Sequence, residues 1–255
     1  MTLELVIYRP VGSGPFPTVI FHHGSTGNGD NPTLFRQTYT NDSLAKIFAE
    51  SGWQVLFPQR RGRGASDGVY DEGFEPDRSR YSCRDTLALA GLTHALDDAE
   101  VIYQSVRNRP DVDTTRLIVG GQSRGGILAI AHAARHPGAF AGVVNFVGGW
   151  IGESCADAER VNRSTFVGAA HNPVATLWLY GERDPFYSAA HSSANFAAFT
   201  QAGGNGRFHL YRRNNNALSG HNIINEPVLW RHDLEAFFAQ VAPPELSLST
   251  TPFAM

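Results

Sequence analysis

Short apolar, β-rich runs alternate along this chain with longer helix-like stretches. The runs at 3–8, 16–22, 54–59, 116–120, 142–147, 174–180 and 207–212 read as strands. Most are continuously apolar, as strands covered on both faces are. The stretches 42–51, 86–108, 124–136, 188–202 and 227–240 read as helices. Asp42 or Ser43 is the expected cap of the first, and Gly52 follows its end. Pro137-Gly138 stop the third helix and Gly203-Gly204 stop the fourth. Strand–helix alternation predicts an α/β fold, with a mostly parallel sheet and helices on both faces. The run 3–8 and the Pro10–Pro17 segment look like a short antiparallel lead-in. Residues 1–241 then make one domain, and the polar, Pro-containing residues 242–255 make a tail on the surface or loose from it.

Composition narrows the class of function. The chain has 255 residues, 42% of them hydrophobic, which suits one domain with a large core. A net charge of −3 with no basic excess argues against a nucleic-acid partner. Apolar runs such as 174–180 are too short to span a bilayer, so no membrane partner is expected. The first strand-like run begins at Leu3, leaving no place for a signal peptide in this sequence. The expectation is a cytoplasmic protein, or an exported one if a leader has been removed. Cys83 and Cys155 neither demand nor exclude an oxidising compartment. No C-x-x-C pair or His-rich cluster points to a metal, and no cofactor is expected. Nothing in the pattern fixes an oligomeric state.

Gly121-Gln122-Ser123-Arg124-Gly125 matches G-x-S-x-G, and so does Gly64-Ala65-Ser66-Asp67-Gly68. Context separates the two. A nucleophilic serine needs a strand, a sharp turn and then a helix, so that its hydroxyl stands at the helix N-terminus. Ser123 has all three: a strand before it, small residues at 120, 121, 125 and 126, and Ile127–Ala131 after it. The residues after Ser66 cannot start a helix, so Ser66 reads as a turn.

A serine hydroxyl also needs a base. In a strand–elbow–helix hydrolase the order is serine, acid, histidine. His221 follows the last strand, in a loop ahead of the last helix. His209 lies in a strand, His232 in a helix, and His132 and His136 on the helix that leads away from Ser123. Asp184, in the loop Gly181–Pro185, is the expected acid, with Glu182 as the alternative. The backbone N–H groups of Ser25 and Arg124 are the expected oxyanion donors, which stabilise a developing negative oxygen. His22 and His23, just before Ser25, read as structural.

These residues resemble a known family. His23-Gly24, the Gly121–Gly125 turn, Gly181–Pro185 and Gly220-His221 together look like the dienelactone hydrolase-like and prolyl-oligopeptidase-like branch of the α/β-hydrolases. The resemblance runs over nearly the whole chain. Arg60–Gly68 also resembles an Arg-Gly-x-Gly-x-Ser stretch of that superfamily, whose role there is mainly structural. Dienelactone hydrolase itself uses a cysteine nucleophile, where this chain has Ser123; ordinary ester cleavage is therefore favoured over lactone cleavage. No propeller domain fits in the chain, and no large cap domain fits between strands 142–147 and 174–180.

The expected function is cleavage of carboxylic esters of small substrates through an acyl-enzyme. A short-peptide or lactone hydrolase with the same triad, and a non-catalytic binding protein on the same fold, are the alternatives. Trp150, Phe186, Tyr187 and Tyr70 are candidate pocket walls. The Arg124 side chain either attracts an acidic substrate or pairs within the protein. Cys83 and Cys155 leave the same sheet edge on loops long enough to meet, so a disulfide is one expectation and two separate buried thiols the other.

Overall fold

The computed structural model describes residues 1–212 and 219–243. The seven strands are β1 (Leu5–Tyr8), β2 (Phe16–His22), β3 (Gln54–Pro58), β4 (Val112–Gln122), β5 (Gly142–Phe146), β6 (Thr176–Gly181) and β7 (Gly206–Tyr211). They form one sheet in the order β1-β3-β2-β4-β5-β6-β7. Only β1 runs antiparallel, against β3; every other pair is parallel. The lead-in expected from the sequence is thus an antiparallel edge strand.

The helices are α1 (Pro32–Phe35), α2 (Asp42–Glu50), α3 (Asp85–Arg107), α4 (Arg124–Ala134), α5 (Ser164–Ala169), α6 (Ala189–Gln201) and α7 (Pro227–Val241). A π-turn, Glu159–Arg163, leads into α5, and a 3-10 turn, Gly220–Asn225, precedes α7. The five helices expected from the sequence are α2, α3, α4, α6 and α7. The short α1, the π-turn and α5 were not expected, because each is too brief to show a period. One cap is corrected. Asn41, not Asp42 or Ser43, caps α2: its side chain accepts from Leu44 N at 2.9 Å. Asp42 instead accepts from the Tyr8 hydroxyl at 2.7 Å.

The strands meet helices on both faces. Helices α3, α4, α5 and α6 contact one another in series. Helix α2 meets α7 through the stacked rings of Phe48 and Phe238. Residues such as Val19, Ile20, Val55, Leu56, Ile118, Val119 and Val143 are fully buried between these layers. That burial explains the unbroken apolar runs. Ala242, assigned to the tail by sequence, is buried against this core; residues 244–255 lie outside the described residues. Among the described residues no helix is long and apolar enough to cross a membrane.

Candidate active site

Ser123 sits between the last residue of β4 and the first of α4, with φ +55° and ψ −121°. A side chain held at positive φ stores on the order of 1–3 kcal/mol of strain. The surrounding backbone holds it there. Ser123 N donates to Phe146 O at 2.8 Å, and Ser123 O accepts from Gly126 N at 2.9 Å. The elbow also lies hard against the end of β2. A Cβ on Gly125 would stand 2.1 Å from His22 O, so only glycine fits.

The elbow brings the residues after β2 to the serine. The ideal Cβ position of Gly24 is 3.2 Å from Ser123 Cβ. Arg60 fixes this loop from behind. Its guanidinium is buried, pairs with Glu72, and donates to His23 O at 3.0 Å and Gly24 O at 3.3 Å. In the Arg60–Gly68 stretch Arg60 is therefore structural, whereas Arg63 lines a small cavity with Ser25, Ser123 and His221. Within the stretch the Ser66 hydroxyl donates to Gln59 O and accepts from Glu4 N, both at 2.8 Å, as a turn residue. His22 and His23 are buried, and burial, ahead of neighbouring charges, holds both imidazoles well below the usual histidine range.

Asp184 and His221 come from the segments after β6 and β7, further along the same sheet. His221 Nδ1 lies 2.8 Å from Asp184 Oδ2. The other carboxylate oxygen, Oδ1, accepts from Phe186 N at 2.8 Å and Tyr187 N at 3.2 Å. The Asp184 side chain has no exposed surface. Glu182 instead pairs at the surface with Arg212, at 3.0 Å. The two loops touch because Gly220 has no side chain: a Cβ there would stand 2.2 Å from Glu182 O. Gln122, next to the serine, donates from its amide to His221 O at 3.1 Å.

Ser123, His221, Ser25 and Arg124 all line one cavity of about 230 Å³. Its lining includes Trp150, Phe186 and Tyr187, together with Tyr81 and Ile151. Phe186 is half exposed and its ring meets the His221 ring edge-on at 4.7 Å. Tyr70 is corrected. It lies one layer behind the wall, stacked on Phe35 at 4.9 Å, with its hydroxyl 3.1 Å from that of Tyr81. The Arg124 guanidinium turns inward: its carbon lies 3.7 Å from the Tyr81 ring centroid and 4.5 Å from that of Trp150, and it donates to Glu72 O. Of the two roles open to Arg124, pairing within the protein is the one observed.

Cys83 and Cys155 are joined in a disulfide, with Cα atoms 5.1 Å apart, and Cys155 reaches the cavity rim. Two positioning residues escaped the sequence reading. Asn162, in the π-turn, accepts from Trp150 N at 2.8 Å and Ile151 N at 3.2 Å, which fixes that wall. Tyr81 also lines the cavity, with the Arg124 guanidinium over its ring. Neither stands in a recognisable motif; an isolated Asn or Tyr in a long loop gives no signal until the fold is known.

A family model described as serine aminopeptidase, S33, matches residues 37–151, a span that holds Ser123 but neither Asp184 nor His221. Among solved structures, the chain is similar to an acetyl xylan esterase from Paenibacillus sp. R4. The TM-score is 0.65 at 17% identity, over 93% of this chain and 79% of that one. It is also similar to an esterase designated PE8, with TM-score 0.62 at 16% identity, over 94% of this chain and 100% of that one. A third similarity is to a dipeptidyl peptidase 4 from Porphyromonas gingivalis, with TM-score 0.62 at 16% identity. There the match covers 93% of this chain but only 33% of the peptidase, so this chain spans about a third of that protein's length. At these identities the likeness is one of fold, and the fold is that of the α/β-hydrolases.

Proposed function

From a chain with the α/β-hydrolase fold, we propose a serine hydrolase that cleaves carboxylic esters of small substrates through an acyl-enzyme. The observation that carries this reading is the buried Asp184 carboxylate, held by two backbone N–H groups and set 2.8 Å from His221 Nδ1, at the cavity that Ser123 lines. A carboxylate so placed fixes the imidazole tautomer and leaves Nε2 as the basic nitrogen.

Ser123 Oγ attacks the ester carbonyl carbon while His221 Nε2 takes its proton. The N–H groups of Ser25 and Arg124 hold the oxyanion, each worth roughly 3–4 kcal/mol. The intermediate collapses, His221 protonates the departing alcohol, and the acyl group stays on Ser123. Water, deprotonated by His221, then attacks the acyl carbon, and His221 returns the proton to Ser123 Oγ as its bond to the acyl carbon breaks and the acid leaves. The inward-turned Arg124 side chain supports the wall and leaves its N–H to face the oxyanion.

Hydrolysis of short peptides is a second reading, favoured by the serine aminopeptidase description and by the peptidase among the similar folds. One experiment tests both. A fluorophosphonate probe is expected to label Ser123 alone, and a panel of short esters, lactones and aminoacyl amides to show fastest turnover on the esters. No labelling would sink the serine hydrolase reading, and faster turnover of the amides would replace ester by peptide cleavage.

A further inference from the structure

The helix that begins beside Ser123 gathers a second set of side chains further along. His132 lies on α4 and His136 two residues past its last residue, with their ring centroids 5.3 Å apart. Glu100, on α3, faces them. One potential ligand atom from each of the three lies within 4.8 Å of the others. His136 Nε2 is 2.5 Å from Glu100 Oε2, and His132 Nε2 is 3.9 Å from the same oxygen. Gln104 donates to the other oxygen, Oε1, at 2.7 Å, which aims Oε2 at the imidazoles. His132 has no exposed surface, and neither of its ring nitrogens has a hydrogen-bond partner in the protein. Leaving a buried imidazole unpaired is costly, because its N–H and lone pair have given up water.

We propose that Glu100, His132 and His136 form a site for a divalent transition-metal ion, zinc by the chemistry of its donors. Two imidazoles and one carboxylate are a familiar three of the four ligands zinc takes, with water as the fourth. Tetrahedral zinc with bonds of about 2.0–2.1 Å sets its donor atoms about 3.3 Å apart. The 2.5 and 3.9 Å separations straddle that value, and the Glu100 side chain, 35% exposed, can swing to even them. The rings of Tyr103 and Phe140, 5.8 and 5.6 Å from that of His132, supply the apolar shell around the inner ligand. Glu100 and His136, both partly exposed, leave the water-bearing side open.

The ion would join α3 to α4. His132 lies nine residues past Ser123, about 13 Å along the helix axis, so the bound ion acts on stability and not on the scissile bond. A sequence scan misses the site because its carboxylate comes from a different helix.

The test is titration of the chelator-treated full chain with zinc chloride, followed by calorimetry and by thermal unfolding. Wild type is expected to bind one ion per chain at this site and to unfold at a temperature that rises with zinc. His136→Ala and Glu100→Gln are each expected to weaken binding at least about tenfold and to lose the rise in Tm. Matching circular dichroism spectra of the zinc-free forms establish that both variants fold. His221→Ala is expected to keep the zinc response. Equal binding in wild type, His136→Ala and Glu100→Gln would overturn the proposal. So would a Tm indifferent to zinc, or a response lost only in His221→Ala, which would put the ion at the other histidine.

Discussion

At position 184 a carboxylate without exposed surface faces one imidazole and two backbone N–H groups. Asparagine there would keep the shape but present an amide N–H to His221 Nδ1, favouring the wrong tautomer. Asp184→Asn is expected to lower kcat for p-nitrophenyl acetate about 10⁴-fold with the fold intact. Ser123→Ala is expected to remove at least as much, and Ser66→Ala to leave most activity, since the Ser66 hydroxyl serves only a turn. A large loss in Ser66→Ala with a small one in Ser123→Ala would reverse the assignment. Two histidines carry a different consequence. His22 and His23 are held neutral by burial, with pKa values well below the ordinary 6.5 or so of the unfolded chain. A depressed value means that the folded state resists protonation, so the stability is complete above about pH 6.5 and is lost as pH falls below it. Each contributes up to about 1.4 kcal/mol per pH unit in that window. Melting temperatures recorded from pH 7.5 to 5 should fall steeply below 6.5, and a His22→Phe variant that still folds should fall less steeply. A flat profile would show that neither histidine stays neutral in the folded protein.

At the scale of elements, the strands and the long helices were legible because each is dictated locally. The runs at 16–22 and 142–147 are mostly apolar, and β2 and β5 lie where those runs do. Ser123 was legible for the same reason, since strand, small residues and helix follow one another in the chain. What stayed hidden depends on distant partners. Asp42 and Ser43 are the caps expected from the sequence, yet the Asn41 side chain caps α2, while Asp42 engages Tyr8 of β1. Tyr70 and Tyr81 are both aromatic residues in one long loop. Only the packing of Tyr70 on Phe35 decides that Tyr81 lines the cavity and Tyr70 backs it. The loops bearing Cys83 and Cys155 meet across two intervening strands, with a sequence separation of 72. In the chain-entropy account a closure of that length stabilises by about 4 kcal/mol. Cys83→Ser/Cys155→Ser is therefore expected to unfold at lower denaturant concentration, with KM raised more than kcat is lowered, because the rim loosens while Asp184 and His221 stay paired. Unchanged stability, or two free thiols titrated in the denatured, unreduced wild type, would refute the bridge.

For the whole molecule the controlling quantity is the size of the cavity. It is about 230 Å³, a second cavity of about 180 Å³ shares Ser25, Ser123 and His221 with it, and each chamber is smaller than the roughly 300–1,000 Å³ of sites that enclose drug-sized ligands. Between β5 and β6 the described chain forms only the π-turn and α5, besides loop. A long acyl chain would run out along the surface, where each added methylene gains little of the ~0.8 kcal/mol that full burial gives. Across esters from acetate to palmitate, kcat/KM is expected to fall beyond about eight carbons, since shallow sites do not reward length. A maximum at palmitate would mean that the site opens into a tunnel and that short-chain preference is wrong.

The disulfide divides the chemistry in a way that the sheet does not. Ser123 lies inside the covalent ring that Cys83 and Cys155 close, and Asp184 and His221 lie outside it. A protease that cuts once between those cysteines would leave both pieces tethered, so the nicked protein would migrate as one chain on a denaturing gel until a reductant is added. A single cut between Cys155 and His221 would leave no covalent link, so two fragments would separate on the same gel without reductant. Cleavage there, and not within the ring, is the event that would physically part nucleophile from base.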